Sequence, residues 1–435
     1  MPLDDNDRAR AGNLGTDPGE GCEPVAAPTL RGKAEDTPPA PPELRTFADL
    51  YGPEQLEADR NRRLVSLATL PSWPGGPATG HGIGETLDVL LGGGICPGYM
   101  AALGAAHAAA GKTAFLAQLA DGLALRTAAL LSLEDRAEPL TPVVVLSEMG
   151  VPQLTWRSLA RWTNRDSRIF RAGKSATQAV PGLTALEAEQ AFEAAREALT
   201  GKLGLARRFI LSLTPTSSGP DLVAELGRAV VAWRARLLEA HPGREIWPVL
   251  FVDPIQRWQD HSKPEVEALN ELVEQLADLV GREGLVAFAT SDTNKSSAIG
   301  ERDGDARELA TAAFRGSYKL FHLPDAALLL ERGEDGRSAT IHVAKNRWGP
   351  QLPDPKACAR FHWNPTRASF APFAPEEERA LADAAAKALD VKETARTKRA
   401  KLWKCARCSH VLEATPENGR CPACGAGAGE IPFPS

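Results

Sequence analysis

The sequence predicts an α/β domain built on a largely parallel sheet with helices on both faces. Between about residue 80 and residue 371, short and nearly continuous apolar stretches alternate with amphipathic ones, the pattern of strands buried on both faces and joined by helices. A phosphate-binding type of turn follows the first of these strands and opens a helix. Two later strands end in carboxylates, which a doubly wound sheet brings to one edge.

The elements follow in order along the 435 residues, a length sufficient for one large core or two modest ones. Residues 1–43 are rich in Asp, Gly, Pro and Ala, run into TPPAPPEL and have neither helical nor strand period, which predicts a disordered tail. Residues 44–79 form a lead-in: 46–70 carry apolar residues at helical spacing and predict one or two short helices, and PSWPGGPATGHG then breaks the pattern. Within the main domain, 80–371, the candidate strands are YMAALGA, PVVVLSE, RFILSL, WPVLFVD, GLVAFATS, AALLLER and ATIHVAKN. Helices are expected after Thr113, over 183–200 and from Asp221 onward. Residues 372–403 read as an Ala-rich helical linker that turns basic at its end, and 404–435 as a small cysteine module.

Composition narrows the function classes. Fifty Lys and Arg against 56 Asp and Glu give a net charge of −6, which excludes a general basic coat for nucleic acid but leaves room for a local patch. No apolar run approaches the roughly 20 residues of a membrane helix, and MPLDDNDRAR is polar with no signal core behind it. The expectation is a soluble cytoplasmic protein with no membrane partner. Four of the seven cysteines fall in the last 31 residues, a distribution that suits a metal site plus scattered thiols in a reducing compartment.

The strongest local motif is Ala106-His-Ala-Ala-Ala-Gly111-Lys112-Thr113. Backbone N–H groups of such a turn cradle phosphates and the helix N-terminus adds its positive end. Lys112 is placed to neutralise charge on the terminal phosphates, and the Thr113 hydroxyl to hold Mg²⁺. The first position is Ala106 where glycine is usual, a small residue that still permits close approach. Asp253 ends the apolar strand Val249–Asp253, as needed for the magnesium shell. Glu148 follows the strand that begins at Val143 and is a candidate base for an attacking water.

In this order the motifs resemble the RecA-like P-loop ATPase domain of DnaB-type replicative helicases over about residues 80–371. The similar segments are Thr86–Gly98, Leu146-Ser-Glu148-Met149, Gln153–Arg157, Phe251–Gln256, Ala289–Lys295, Phe314–Ser317 with Asp325, and Val343–Pro350, followed by Ala359-Arg360-Phe361. The resemblance implies ATP and Mg²⁺ as cofactors and a homo-oligomeric, hexameric ring with ATP sites between subunits. It also implies that Lys345 and Arg347 reach the γ-phosphate of the neighbouring subunit's ATP, and that single-stranded DNA lies in the channel. A replication or recombination protein is the implied partner. Lys295, Arg302 and Arg307 lie in the polar loop expected to face that DNA.

The sequence departs from the family pattern in three places. Residues 1–43 offer no counterpart to its helical N-terminal domain, extra helical sequence lies around 170–205, and Asp292-Thr293 stands where a Gln-Leu pair is usual. Two further readings therefore stand beside the helicase: a RadA- or KaiC-like ATPase in recombination or regulation without unwinding, and a nucleotide-binding adaptor without catalysis.

Cys405-Ala-Arg-Cys408 and Cys421-Pro-Ala-Cys424, twelve residues apart, have the spacing of a closed Cys₄ zinc ribbon. Iron in a rubredoxin-like site satisfies the same ligands. Binding of Zn²⁺ supplies folding energy that so short a segment cannot obtain from a core. Lys401, Trp403 and Lys404 precede the first knuckle and offer charge and a stacking ring to nucleic acid; a protein partner or a purely structural ribbon is the alternative.

Overall fold

The computed structural model of the chain describes residues 64–67, 83–105, 109–132, 138–292, 314, 318–351 and 357–373, with short pieces at 376–377, 380, 403–404, 411–412 and 423–424. The chain divides into two units, residues 1–62 and 63–435, and all described residues belong to the second. The expected disordered tail, most of the linker and three of the four knuckle cysteines lie outside the described residues.

The main domain runs α1 (Ile83–Leu91), β1 (Met100–Ala105), α2 (Lys112–Ser132), β2 (Val143–Ser147), α3 (Val151–Thr163), α4 (Ser167–Ala172), α5 (Ala176–Ala179), α6 (Ala185–Thr200), α7 (Lys202–Arg207) and β3 (Ile210–Ser212). It continues with α8 (Gly219–Ala240), β4 (Val249–Asp253), α9 (Glu265–Glu283), β5 (Val286–Thr290), α10 (Tyr318–His322), β6 (Ala326–Arg332), β7 (Ser338–Asn346), β8 (Cys358–Asn364) and β9 (Ser369–Pro372). All nine strands join one sheet in the order β3-β2-β4-β5-β1-β6-β7-β8-β9. From β3 to β6 the neighbours are parallel; from β6 to β9 they are antiparallel. The expected α/β class with a mainly parallel sheet is the observed one.

Strand alternation shows why both faces are covered. In β4, Val249 and Phe251 join the core on one face, and Leu250 and Val252 join the core on the other. In β5, Val286 and Phe288 alternate with Ala287 and Ala289 in the same way. Helix α2 packs on the first face. Helices α8 and α9 cover the second, with Leu269, Leu272, Val273, Leu276 and Val280 of α9 forming a helical-period stripe. Helix α9 stops at Gly284, whose left-handed φ of 58° lets its N–H reach the Val280 carbonyl.

All seven candidate strands form. The sequence reading did not find β8 and β9, because it sought continuous apolar runs, whereas β8 alternates buried Ala359, Phe361 and Trp363 with exposed Arg360 and His362. It also did not name α3 or α9. Most of the expected helical lead-in lies outside the described residues; within 64–67, Val65 is extended and pairs in an antiparallel bridge with Ile95, and Leu67 stands in a 3₁₀ turn. Val65 and Leu67 are buried in the main core, and the Leu67 N–H donates to Asp88 (2.6 Å). Helix α2 is a correction: 21 residues long, with a mean hydropathy of 1.3 over its most apolar 18 residues, it is apolar enough by length and composition to cross a membrane. Here it is a core helix, mostly buried.

Helices α3 to α7 supply the extra sequence between β2 and β3 and pack around a small core of their own, including Leu159, Ile169, Phe170 and Leu203. Helix α6 starts with a capping box, the Glu187 N–H donating to Thr184 Oγ1 and the Thr184 N–H to Glu187 Oε2. A buried charge pair ties this layer to α2: Arg161 donates to Asp121, Ser158 Oγ donates to the same carboxylate (2.7 Å), and Arg161 also donates to the Ala368 carbonyl (3.0 Å). Asp121 and Arg161 are each 4% exposed. Asp121→Ala leaves the guanidinium buried without its carboxylate and is expected to cost about 3–5 kcal/mol. Urea unfolding of the full chain measures this, and a loss below about 1 kcal/mol would show that water relieves the orphaned charge.

Candidate active site

The parallel register determines what gathers at the carboxyl edge. Ser147, the last residue of β2, stands opposite Asp253, the last residue of β4. Val252 stands opposite Ala289, which brings Thr290 level with Asp253 on its other side. Thr290 Oγ1 donates to Asp253 Oδ1 (2.6 Å) and Ser147 Oγ donates to Oδ2 (3.4 Å). The carboxylate is thus 5% exposed yet held on both oxygens. The Glu148 N–H donates to the Asp253 carbonyl (2.9 Å), which fixes the backbone of Glu148 beside it while the residue itself stays exposed.

The phosphate turn meets this edge. Ala106 lies outside the described residues, but Ala109 to Thr113 are placed. Ala109 has φ 60° and Gly111 φ 104°, the first of these a conformation that costs alanine roughly 1–2 kcal/mol. A Cβ on Gly111 would meet Phe370 Cζ at 3.0 Å and the Trp363 ring at 3.4 Å. Glycine is required here both by its backbone angle and by the aromatic wall of β8 and β9. That wall is clamped to α2, with Gln118 Nε2 donating to the Phe370 carbonyl (2.9 Å) and the Phe370 N–H returning to Gln118 Oε1 (2.8 Å). The phosphate turn is therefore backed by the two strands that the sequence reading missed.

Burial lowers the affinity of the Lys112 ammonium for its proton, and the carboxylates of Asp292, Asp253 and Glu148 oppose that loss. Lys112, Glu148 and Asp253, nominated from sequence, are thus brought into one electrostatic group. Asp292 joins them as a fourth member. Its N–H donates to Gln256 Oε1 (2.9 Å), while Gln256 Nε2 donates to Ser291 Oγ (2.8 Å), so the end of β5 is pinned to the segment after β4. Arg157 on α3 also feels Asp253; burial and Arg161 push its pKa down, and Asp253 pulls it up. Sequence reasoning noted Asp292 only as a departure from the family pattern, and Arg157 only as the end of a similar segment. The signal for Arg157 was its four-residue spacing from Arg161, which places both on one helix face.

Thr113, Ser147 and Asp253 line the polar end of a cavity of about 100 Å³ that continues between α2 and α3 past Asp121, Leu154 and Ser158. Two hydroxyls and a carboxylate lining one cavity form the hard oxygen donor set that suits Mg²⁺ with retained waters. Gly111, Lys112 and the start of α2 form the matching phosphate cradle. The residues present fit a magnesium-bound polyphosphate.

Lys345 and Arg347 are not brought to this cluster. Lys345 on β7 pairs with Ala327 on β6, and Ala326 and Ala327 pair with the first residues of β1. Both basic residues therefore sit at the amino edge of the sheet, a strand length of about 20 Å from the phosphate turn. There Lys345 Nζ donates to the carbonyls of His322 and Pro324, and Arg347 to Asp325 Oδ1 (3.3 Å) and the Leu323 carbonyl (3.2 Å). Burial and the neighbouring Arg347 bring the Lys345 pKa down to about 8, against the pull of Asp325. The Arg347 side chain is 49% exposed.

Lys295, Arg302, Arg307 and Lys401 lie outside the described residues, as do Cys405, Cys408 and Cys421. Trp403 and Lys404 form a two-residue strand paired antiparallel with Val411-Leu412, so the first knuckle lies in sequence between two paired strands; Cys424 sits in a turn.

No protein-family model and no curated protein matches the chain. Many solved structures are similar to it. A DnaB-like replicative helicase, described with its interactions with primase, aligns with a TM-score of 0.49 and 14% identity over 66% of this chain and 62% of that one. A second structure, described as an ATPase domain, aligns with a TM-score of 0.49 and 14% identity over 74% of this chain and 95% of that one. The chain spans about three fifths of the length of the first structure.

Thr290→Val keeps the shape of the side chain and removes its hydrogen bond to the buried Asp253 carboxylate. It is expected to cost about 1.5–3 kcal/mol of stability and to weaken magnesium-nucleotide binding by roughly tenfold, a factor equal to about 1.4 kcal/mol. Thermal unfolding and calorimetric titration with Mg-ADP measure the two effects. Unchanged affinity would separate Asp253 from metal binding.

Proposed function

We propose that the chain is a magnesium-dependent ATPase that works as a ring-forming DNA translocase of the DnaB helicase type on single-stranded DNA. The observation that carries this reading is the division of the candidate site residues between two edges of one sheet. Gly111, Lys112, Thr113, Glu148 and Asp253 meet at the carboxyl edge, while Lys345 and Arg347 stand at the opposite edge. Such a chain completes its site only with a neighbour, as a ring of subunits with shared ATP sites requires.

In this reading Lys112 and the N–H groups of the turn hold the β- and γ-phosphates, and Thr113 and Asp253 orient the magnesium. The metal supplies charge neutralisation on the phosphates when bound. The Glu148 carboxylate, exposed beside Asp253, takes the proton of the attacking water. The neighbour's Arg347 guanidinium reaches the γ-phosphate to stabilise charge that develops there, and its Lys345 ammonium does the same, so that hydrolysis is coupled to movement between subunits. The polar loop with Lys295, Arg302 and Arg307 is the proposed DNA contact in the channel. The Cys₄ module, Cys405, Cys408, Cys421 and Cys424 with Zn²⁺, is proposed to add a second contact through Lys401, Trp403 and Lys404. The setting is replication or repair of a phage or mobile element in the cytoplasm, with a replication or recombination protein as partner.

One observation favours a second reading, a RadA- or KaiC-like ATPase without strand separation. The carboxylate of Asp292 faces Lys112 at a strand end where the helicase pattern has an uncharged pair. Added negative charge near the γ-phosphate alters the sensing of hydrolysis.

ATP hydrolysis by the purified chain with and without single-stranded DNA, at two salt concentrations, tests the proposal. DNA stimulation that falls with salt, together with displacement of an annealed strand, is the expected outcome. DNA-stimulated hydrolysis without displacement favours the second reading, and absence of hydrolysis would leave the adaptor. Arg347→Ala alone is expected to be inactive, and so is Lys112→Ala alone. Mixing the two restores activity, because intact phosphate turns then meet intact arginines across interfaces. No recovery, with both variants assembled as the wild type, would overturn catalysis across the interface.

A further inference from the structure

Outside the nucleotide site, one group of side chains is arranged for chemistry on the outer antiparallel part of the sheet. His342 on β7 stands directly opposite Cys358 on β8, and Glu331 lies on the adjacent strand β6. His342 Nδ1 lies 3.2 Å from Cys358 Sγ, and His342 Nε2 lies 2.9 Å from Glu331 Oε2. In the neutral imidazole the carboxylate accepts from Nε2–H and the Nδ1 lone pair is directed at the thiol, the tautomer that can take its proton. Nucleophile, base and orienting carboxylate thus stand in the order of an activated-thiol relay. The imidazole lies between the other two groups and uses a different nitrogen for each, so a single cation cannot touch all three. The arrangement is a relay and not a metal site.

Access suits a small reagent. Cys358 is partly exposed, and the side chains of His342 and Glu331 are 24% and 36% exposed. Burial disfavours the charged imidazole, but the contacts with Cys358 and Glu331 outweigh it and raise the His342 pKa to about 9, so at neutral pH the imidazole keeps the proton it takes from the thiol and stands as an imidazolium beside the sulfur. None of the three residues takes part in the nucleotide site described above.

We propose that Cys358 is a reactive thiol, activated by His342 and Glu331, that is modified by peroxide-class oxidants to a sulfenic acid. The thiol proton passes to His342 Nδ1. The sulfur attacks one peroxide oxygen, and an S–O bond forms as the O–O bond breaks. The departing hydroxide takes the proton from the imidazolium and leaves as water. Sulfur loses two electrons and the peroxide gains them. Cys358 is the reacting group, and His342 and Glu331 position and transfer the proton.

The test treats the full-length folded chain with hydrogen peroxide at pH 7, traps sulfenic acid with dimedone and reads each cysteine by peptide mass spectrometry. Cys358 is expected to react at least about tenfold faster than Cys96 of the same chain, and faster than Cys358 itself in the urea-unfolded chain. His342→Gln is expected to bring Cys358 down to the unfolded-chain rate, and Glu331→Gln to an intermediate rate. Iodoacetamide alkylation, which needs the same thiolate but no oxidant, must follow the same order. Circular dichroism of each variant confirms that it is folded. The proposal is overturned if folded Cys358 reacts no faster than Cys96, or if a folded His342→Gln protein keeps the wild-type rate. The readout is independent of ATP hydrolysis, so it stands or falls apart from the proposed motor function.

Discussion

The carboxylate of Asp253 is the constraint on which the arrangement of the site depends. An ionised carboxylate at the end of a fully buried strand is costly to desolvate unless its oxygens are held. Hydroxyls on both flanking strands do this, Thr290 closely and Ser147 more loosely. The two hydroxyls reach it only because β2, β4 and β5 are parallel and in one register. A slip of one residue between any pair would turn a hydroxyl to the opposite face and leave the charge unsupported. The sheet is therefore held in register by a polar group as well as by its apolar faces, and the phosphate turn is positioned against that fixed point.

Much of this arrangement was legible in the sequence, since continuous apolar strands, the turn Gly111-Lys112-Thr113 and the strand-end acids Glu148 and Asp253 each have a local signature. The charge cluster as a whole lacks one. Asp292, visible in sequence only as a departure from a pattern, enters it through the pairing of β5 beside β4, and Arg157 through the packing of α3 on α2. Strands β8 and β9 alternate in polarity and looked unlike the central strands, yet Trp363 and Phe370 form the wall that makes glycine obligatory at position 111. At Val65 a long-range bridge to Ile95 and burial in the core set an extended backbone that local spacing does not signal. In each of these cases the deciding contact is distant in sequence, where periodicity carries no information.

The buried pair Asp121–Arg161 shows how an insertion can be accommodated without loosening the site. Helices α3 to α7 form their own small core, yet α3 is attached to α2, the helix that opens at Lys112, through a hydrogen-bonded charge pair and not through apolar contact alone. Apolar packing tolerates sliding, whereas a charge pair with a defined hydrogen-bond geometry does not. Arg157, one turn before Arg161, takes its place near Asp253 from this attachment.

The opposed placement of the two sets of functional residues gives the chain a direction. One edge of its sheet carries the phosphate turn and the other carries Lys345 and Arg347, so two copies joined edge to edge, as proposed, would meet through unlike surfaces. Contacts of that kind have no twofold axis; repeated, they close into a ring or grow as a helical filament according to the rotation at each step. In the proposed assembly every subunit faces the same way around the axis. A strand threaded through it would meet a front and a back, and the polarity needed for directed travel would be present before any nucleotide is spent.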